Sequence, residues 1–219
     1  MNPTDNAGPE ERYRKLRQEA DQRRQAFSQS PEPKIHIGMA TCGIASGALD
    51  TKAAFEEALA AQGLSARIHP VGCIGHCYAE PVVIIDHPDS GFPPIFYPEV
   101  TPGKAKMLTK FFLGQGDPRF EHILGAMEPN EMIPAVGDFS RFSMEKRVIM
   151  ELCGRIDPED IFDYIAEGGY ETIARALLSD ASSVLDAVDR SGLRGRGGAG
   201  FSTGRKWRLA AKAPGDEKI

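Results

Sequence analysis

Cys73 and Cys77 stand in the segment Gly72-Cys-Ile-Gly-His-Cys-Tyr-Ala-Glu-Pro81, and Cys42 lies upstream in Met39-Ala-Thr-Cys-Gly-Ile-Ala-Ser-Gly-Ala48. Thiolates are metal ligands, and a Cys-x-x-x-Cys spacing lets two of them meet on one inorganic centre. Gly43, Gly72 and Gly75 supply the backbone freedom a loop needs to wrap such a centre closely. The three cysteines follow two expected strands, so they should emerge at one edge of a sheet, as an iron–sulfur cluster requires. A [2Fe–2S] centre ordinarily takes four protein ligands, and the fourth is not identified by spacing. Cys153 lies far downstream beside a helical segment and reads as a packed side chain. His76, between the pair, offers an imidazole, and with Cys42, Cys73 and Cys77 it would equally make a Cys₃His zinc site. A domain that has lost its cluster and serves as a scaffold is the remaining reading.

The second block with chemical content runs from Ser191 to Trp207 and contains GLRGRGGAGFSTGRKW from Gly192 onward. Glycines at this density let backbone N–H groups converge on an anion, while Arg194, Arg196, Arg205 and Lys206 add positive charge. The residues after Gly204 are suited to start a helix. The chemistry is that of a phosphate cradle for a nucleotide or flavin, although the spacing is neither a Walker loop nor the usual dinucleotide fingerprint. An RGG-type RNA-binding tail and a merely flexible loop are the other readings; the first occurs in long disordered repeats, unlike this single copy after helices.

These blocks need elements to hold them. Lys34 to Met39, Ala66 to Val71, Pro81 to Asp86 and Ile95 to Tyr97 read as strands, and Asp50 to Gln62 and Thr101 to Leu113 as helices. Met107, Leu108, Phe111 and Phe112 are assigned to the inner side of the second helix. The order predicts an α/β domain compatible with a thioredoxin-like fold over residues 34–115. Residues 1–33 form a polar, mixed-charge arm, either a solvated helix or disordered, with Tyr13, Leu16, Ala20 and Phe27 about one helical face apart. Residues 116–142 read as a Gly- and Pro-rich connector. From residue 143 the chain turns helical, with Asp157-Pro158-Glu159 as a start signal and further short helices near Glu171 to Leu178 and Ser182 to Asp189.

The 219 residues carry 26 Lys+Arg against 31 Asp+Glu, a net charge of −5, which gives no overall basic field for nucleic acid. No apolar run approaches the roughly 18 to 20 residues that cross a bilayer, and no secretory signal is read at the start, so a cytoplasmic protein without direct membrane insertion is expected. Four cysteines are too few for a disulfide scaffold and fit a reducing compartment.

Taken together, the two blocks resemble the NADH-oxidising flavoprotein subunit of respiratory complex I and of related NAD-linked hydrogenases and formate dehydrogenases. The glycine block looks like the family's flavin- and NADH-binding loop, and the cysteine segments resemble the thioredoxin-like [2Fe–2S] ferredoxin domain fused to it in the hydrogenase-type branch. The resemblance implies that Gly195, Arg196, Gly197, Gly198, Ala199, Gly200 and Gly204 wrap FMN, that Lys206 lies near the flavin phosphate and that Phe201 lies beside the nicotinamide nucleotide. It implies an NADH:acceptor oxidoreductase with NAD(H), FMN and a [2Fe–2S] cluster on Cys42, Cys73 and Cys77, working with other subunits of such a complex. The family carries a further cysteine shortly before the position of Cys42, where this chain has His36, Ile37 and Gly38. Family members also continue with the rest of the FMN domain and a cysteine cluster for [4Fe–4S]. Residues 143–219 are therefore expected to be the opening of an incomplete FMN/NADH-binding domain, and the chain alone to be inactive. A docking module with a degenerate or zinc-occupied cysteine site is the alternative.

Overall fold

The computed structural model describes residues 7–140 and 142–215. By internal contacts it divides into two compact units, residues 1–21 with 165–219, and residues 22–164.

The larger unit is built on a five-stranded mixed sheet of order β2-β1-β3-β4-β5, comprising β1 Lys34–Gly38, β2 Arg67–Val71, β3 Val83–Asp86, β4 Ile95–Tyr97 and β5 Gly125–Ala126. β1 and β2 are parallel and are joined by helices α2 Thr41–Ala45 and α3 Ala48–Gln62, while the other neighbours are antiparallel. This is the α/β class expected. Alternation along the strands decides which layer each side chain enters. Ile35, Ile37, Val83, Ile85, Ile95 and Tyr97 form one core with Phe55 and Leu59 of α3 and with Leu108 and Phe112. Ile84 and Phe96 point to the opposite face and pack with Ile74, Ala79, Val82 and Val136. The sheet is thus buried on both faces, which explains why β3 reads as a continuous apolar run. Pro70 lies in β2, an edge strand, where its missing N–H leaves no ladder bond unmade.

Local signals set the element ends. Gly63 closes α3 in the left-handed conformation at φ 63°, with Leu64 N–H bonding back to Leu59 C=O at 3.0 Å. Thr101 caps α4, Pro102–Leu108, by accepting from Lys104 N–H at 3.3 Å, and Pro102 occupies the first helical position. The chain then widens into a π-helical turn at Thr109–Leu113, so the expected helix from Thr101 to Leu113 is present in two geometries.

Three sequence expectations are corrected. The segment carrying Cys42 is the short helix α2 rather than a loop. The stretch read as connector contributes β5, because Gly125 and Ala126 pair with Phe96 and Ile95. The helix expected from Asp157 begins at Ile161 as α5, Ile161–Ala166, and Asp160 caps it by accepting from Phe162 N–H at 2.8 Å. Asp157 instead accepts from Glu159 N–H at 2.8 Å in the turn before it.

The smaller unit contains α6 Glu171–Ala176, α7 Ala181–Arg190 and α8 Thr203–Lys212. Helix α1, Pro9–Ser28, occupies much of the polar amino-terminal segment, and of its apolar side chains Ala20 is buried whereas Leu16 is exposed. No helix among the described residues is long and apolar enough to cross a membrane.

Candidate functional site

Because β1 and β2 are parallel neighbours, the chain leaves both at the same end of the sheet. After β1 it turns into α2, which places Cys42 in the first helical turn; after β2 it runs through Gly72 and Cys73 to a 3₁₀ turn at Cys77–Ala79. Cys42 and Cys77 are exposed and Cys73 is partly buried. The sulfurs of Cys73 and Cys77 lie 3.7 Å apart, and the Cys42 thiol interacts with that of Cys77. Gly75 N–H donates to Cys73 Sγ at 3.3 Å, from a backbone at φ 90° that only glycine adopts readily. Burial pushes the Cys73 thiol up to about 11, with Cys77 and Glu80 adding to the rise against the Gly75 N–H. Contact with Cys77 raises Cys42 as well. Thiols crowded together with a carboxyl group on one edge hold their protons more tightly, because burial and the neighbouring groups both disfavour the thiolate.

Glu80 joins this edge, a residue that spacing alone did not single out. It is 7% exposed, and Oε2 accepts from Val82 N–H at 2.8 Å. Oε1 is buried without a hydrogen-bond partner. The carboxyl group is lodged against two glycines: a Cβ at Gly38 would come 2.8 Å from Oε2, and one at Gly43 would come 3.2 Å from it. Burial raises the Glu80 carboxyl above its ordinary pKa, against the Val82 N–H and the Cys73 thiol, which lower it.

The other candidate donors are placed differently. His76 is 1% exposed, with its ring stacked on Phe142 at 3.8 Å and 9°, and on Tyr78 at 5.7 Å. Its Nδ1 lies 3.4 Å from the Tyr78 hydroxyl, so the imidazole is engaged in packing. Cys153 is close in space to the cysteine loop, its sulfur 3.6 Å from where a Gly72 Cβ would stand. It lines, with Ile74, His76, Phe96 and Arg147, a cleft of about 560 Å³. Arg147 fixes the loop there by donating to Ile74 C=O at 2.6 Å. Among the described residues, no three His, Cys, Asp or Glu side chains close around a point as ligands of a single metal ion.

The glycine block lies in the smaller unit between α7 and α8. It is a closed loop: Gly195 N–H donates to Phe201 C=O at 2.8 Å, Thr203 N–H to Leu193 C=O at 2.9 Å, and Arg194 Nη1 to Gly200 C=O at 3.1 Å. Gly198 at φ 103° and Gly200 at φ 59° make the turn, with Gly197 and Ala199 beside them. Arg196 and Lys206 are exposed and form no ion pair among the described residues; Arg205 lies 5.8 Å from the ring centroid of Phe201. Ser202 caps α8 by accepting from Arg205 N–H at 3.3 Å. Gly204 is required by helix packing, since a Cβ there would lie 2.2 Å from Asp189 Oδ1 and 2.6 Å from Asp189 Cα. Its bare backbone lets α8 approach α7, where Arg208 pairs with both Asp186 and Asp189.

No family model matches the chain. Among curated proteins it is similar to the HndC component of the NADP-reducing hydrogenase of Solidesulfovibrio fructosivorans, 54% identical over 72 residues, 33% of this chain and 15% of that protein. The F subunit of the NADH-quinone oxidoreductase of Aquifex aeolicus is 49% identical over 55 residues, 25% of this chain and 13% of its own length. The alpha subunit of the NAD-reducing hydrogenase HoxS of Cupriavidus necator is 30% identical over 146 residues, 67% of this chain and 21% of its own length. The chain thus spans about an eighth to a fifth of the length of these relatives. Among solved structures, a thioredoxin-like [2Fe-2S] ferredoxin from Aquifex aeolicus aligns at 19% identity over 43% of this chain and 98% of its own, with a TM-score of 0.36. The chain is therefore related, over part of their length, to the F subunits of NADH-quinone oxidoreductases and to subunits of NAD- and NADP-reducing hydrogenases.

Proposed function

We propose that this chain is part of an NADH-oxidising oxidoreductase that passes electrons through FMN and a [2Fe–2S] cluster to partner subunits of a hydrogenase, formate dehydrogenase or NADH dehydrogenase complex. The observation that carries the reading is the 54% identity over 72 residues to a hydrogenase subunit, in a chain that presents both a thiol edge and a closed glycine loop. In this reading Cys42, Cys73 and Cys77 hold iron. Their donor chemistry fits: two thiolates at about 2.3 Å from one tetrahedral ion stand about 3.8 Å apart, and Cys73 and Cys77 stand 3.7 Å apart. A two-iron cluster needs donors in pairs on separate irons, so convergence of three donors on one point is not required of it. Gly195, Arg196, Gly197, Gly198, Ala199, Gly200 and Gly204 contribute backbone to the flavin site, Lys206 and Arg196 offer charge to its phosphate, and Phe201 shields the nicotinamide side. Bound flavin would supply the conversion between two-electron and one-electron transfer.

The test is anaerobic reconstitution of the chain with iron, sulfide and FMN, followed by absorption spectroscopy and metal analysis. Broad visible bands with about two irons per chain are expected. Zinc alone, or a colourless metal-free protein, would overturn the cluster assignment. For the loop, flavin retained on gel filtration should be lost in Gly198→Val, whose backbone conformation a β-branched residue does not tolerate; equal retention would sink the flavin assignment.

A further inference from the structure

The incomplete donor set has a candidate for its fourth member in the one buried acid on the thiol edge. Resting on the cluster reading above, we propose that the Glu80 carboxylate is the fourth protein ligand of the [2Fe–2S] centre, beside Cys42, Cys73 and Cys77.

Three observations converge. The carboxyl group lies against Gly43, the residue after Cys42, with Oε2 3.2 Å from where a Cβ there would stand, and it faces the Cys73 thiol, so it belongs to the same local cluster as the thiols. Its Oε1 is buried without a well-formed hydrogen bond where burial ordinarily demands a partner, and beyond Val82 N–H the carboxyl group's polar neighbour is the Cys73 thiol. Oε2 is meanwhile anchored by Val82 N–H, which fixes the group's orientation. Third, the carboxyl group occupies the space a side chain at position 38 would enter, with Oε2, Oε1 and Cδ all 2.8 to 3.3 Å from an ideal Cβ there. Gly38 is the last residue of β1, and the stretch from it to Thr41, just before Cys42, provides no thiol. The acid reaches into that gap from the far side of the cysteine loop.

The chemistry is consistent. Three thiolates and a carboxylate carry the same total charge as four thiolates, which a neutral imidazole would not. On cluster insertion the thiols and the carboxyl group release their protons to solvent and form four bonds to iron, with no redox partner required. A harder oxygen donor on one iron makes the two irons inequivalent. Cys153 is the competitor, since its sulfur also lies near the loop, but it sits behind Gly72 in the cleft with His76.

The experiment compares the reconstituted 219-residue chain with its Glu80→Gln, Glu80→Cys and Cys153→Ser variants, reading iron and sulfide content and the electron paramagnetic resonance spectrum of the reduced cluster. Circular dichroism confirms folding before reconstitution. Glu80→Gln should lose cluster occupancy by about tenfold or more, Glu80→Cys should retain two irons with a changed spectrum, and Cys153→Ser should match wild type. A wild-type spectrum and iron content in Glu80→Gln would overturn the ligand assignment while leaving the cluster intact, as would loss of the cluster in Cys153→Ser alone. Absence of iron from both wild type and Glu80→Cys would overturn the cluster reading itself, and Glu80 ligation with it.

Discussion

His36 lies in β1 directly opposite His69 of β2, and its ring is 5.3 Å from that of His69 and 6.2 Å from Phe27. Its Nδ1 is buried without a hydrogen-bond partner. Burial lowers its pKa from 6.5 to about 4, and His69 and Lys34 act in the same direction against Asp86. The sign follows from linkage. Below pH 6.5 the unfolded chain takes up a proton that the folded chain refuses, so stability is intact above that pH and falls until about pH 4. The full difference is about 3 kcal/mol. Denaturant titrations from pH 8 to 4 should show this loss, and His36→Phe, which removes the titrating ring from an apolar setting, should flatten the profile. An equally steep profile in the variant would refute the assignment. Residues of this kind mark the limit of the sequence. The cysteines announce themselves by spacing, whereas Glu80 sits in an ordinary-looking Ala-Glu-Pro run and acquires its meaning only when β3 brings it against Gly38 and Gly43.

At the scale of elements, α3 was legible because its buried residues Ala48, Thr51, Ala54, Phe55, Ala58 and Leu59 recur at helical spacing, and β1, β3 and β4 because their short apolar runs are buried almost throughout. β5 was not, because two residues with small side chains, Gly125 and Ala126, carry no pattern and pair only through the sheet edge that β4 offers. Helix α2 was hidden for a related reason: it is five residues long, and its place is set by packing. Gly43 shows this, since a Cβ there would lie 2.0 Å from Gly38 C=O. Gly43→Ala should therefore displace α2 from the end of β1 at a cost of about 1–3 kcal/mol and lower metal uptake together with the melting temperature. Unchanged melting would refute the close contact. In the smaller unit Gly204→Ala should push α8 from α7 through the same kind of overlap, here with the backbone of Asp189. A drop in helicity by circular dichroism with unaltered iron uptake is the expected result, because the overlap lies in the other compact unit.

Across the whole molecule, apolar burial is distributed unevenly, and that distribution predicts how the chain unfolds. The largest buried side chains, among them Tyr97, Phe55, Phe112, Ile35 and Leu108, all belong to residues 22–164. In the smaller unit the buried hydrophobics among the described residues are Ala20, Ile165, Ala166 and Ala174, while Ile173, Leu177, Leu193, Phe201 and Leu209 are about half exposed or more. A unit with so little buried apolar area has little to set against its chain entropy. Trp207, the single tryptophan, lies in α8 and reports on that unit alone by fluorescence. In a urea titration the Trp207 transition should come at lower denaturant than the loss of far-UV signal from the larger unit. Iron–sulfur loading should move only the second transition upward, since a ligand stabilises the unit whose folded form binds it. Coincident transitions that shift together on loading would show instead that the two units fold as one cooperative body, and the uneven core would then have to be offset by contacts elsewhere.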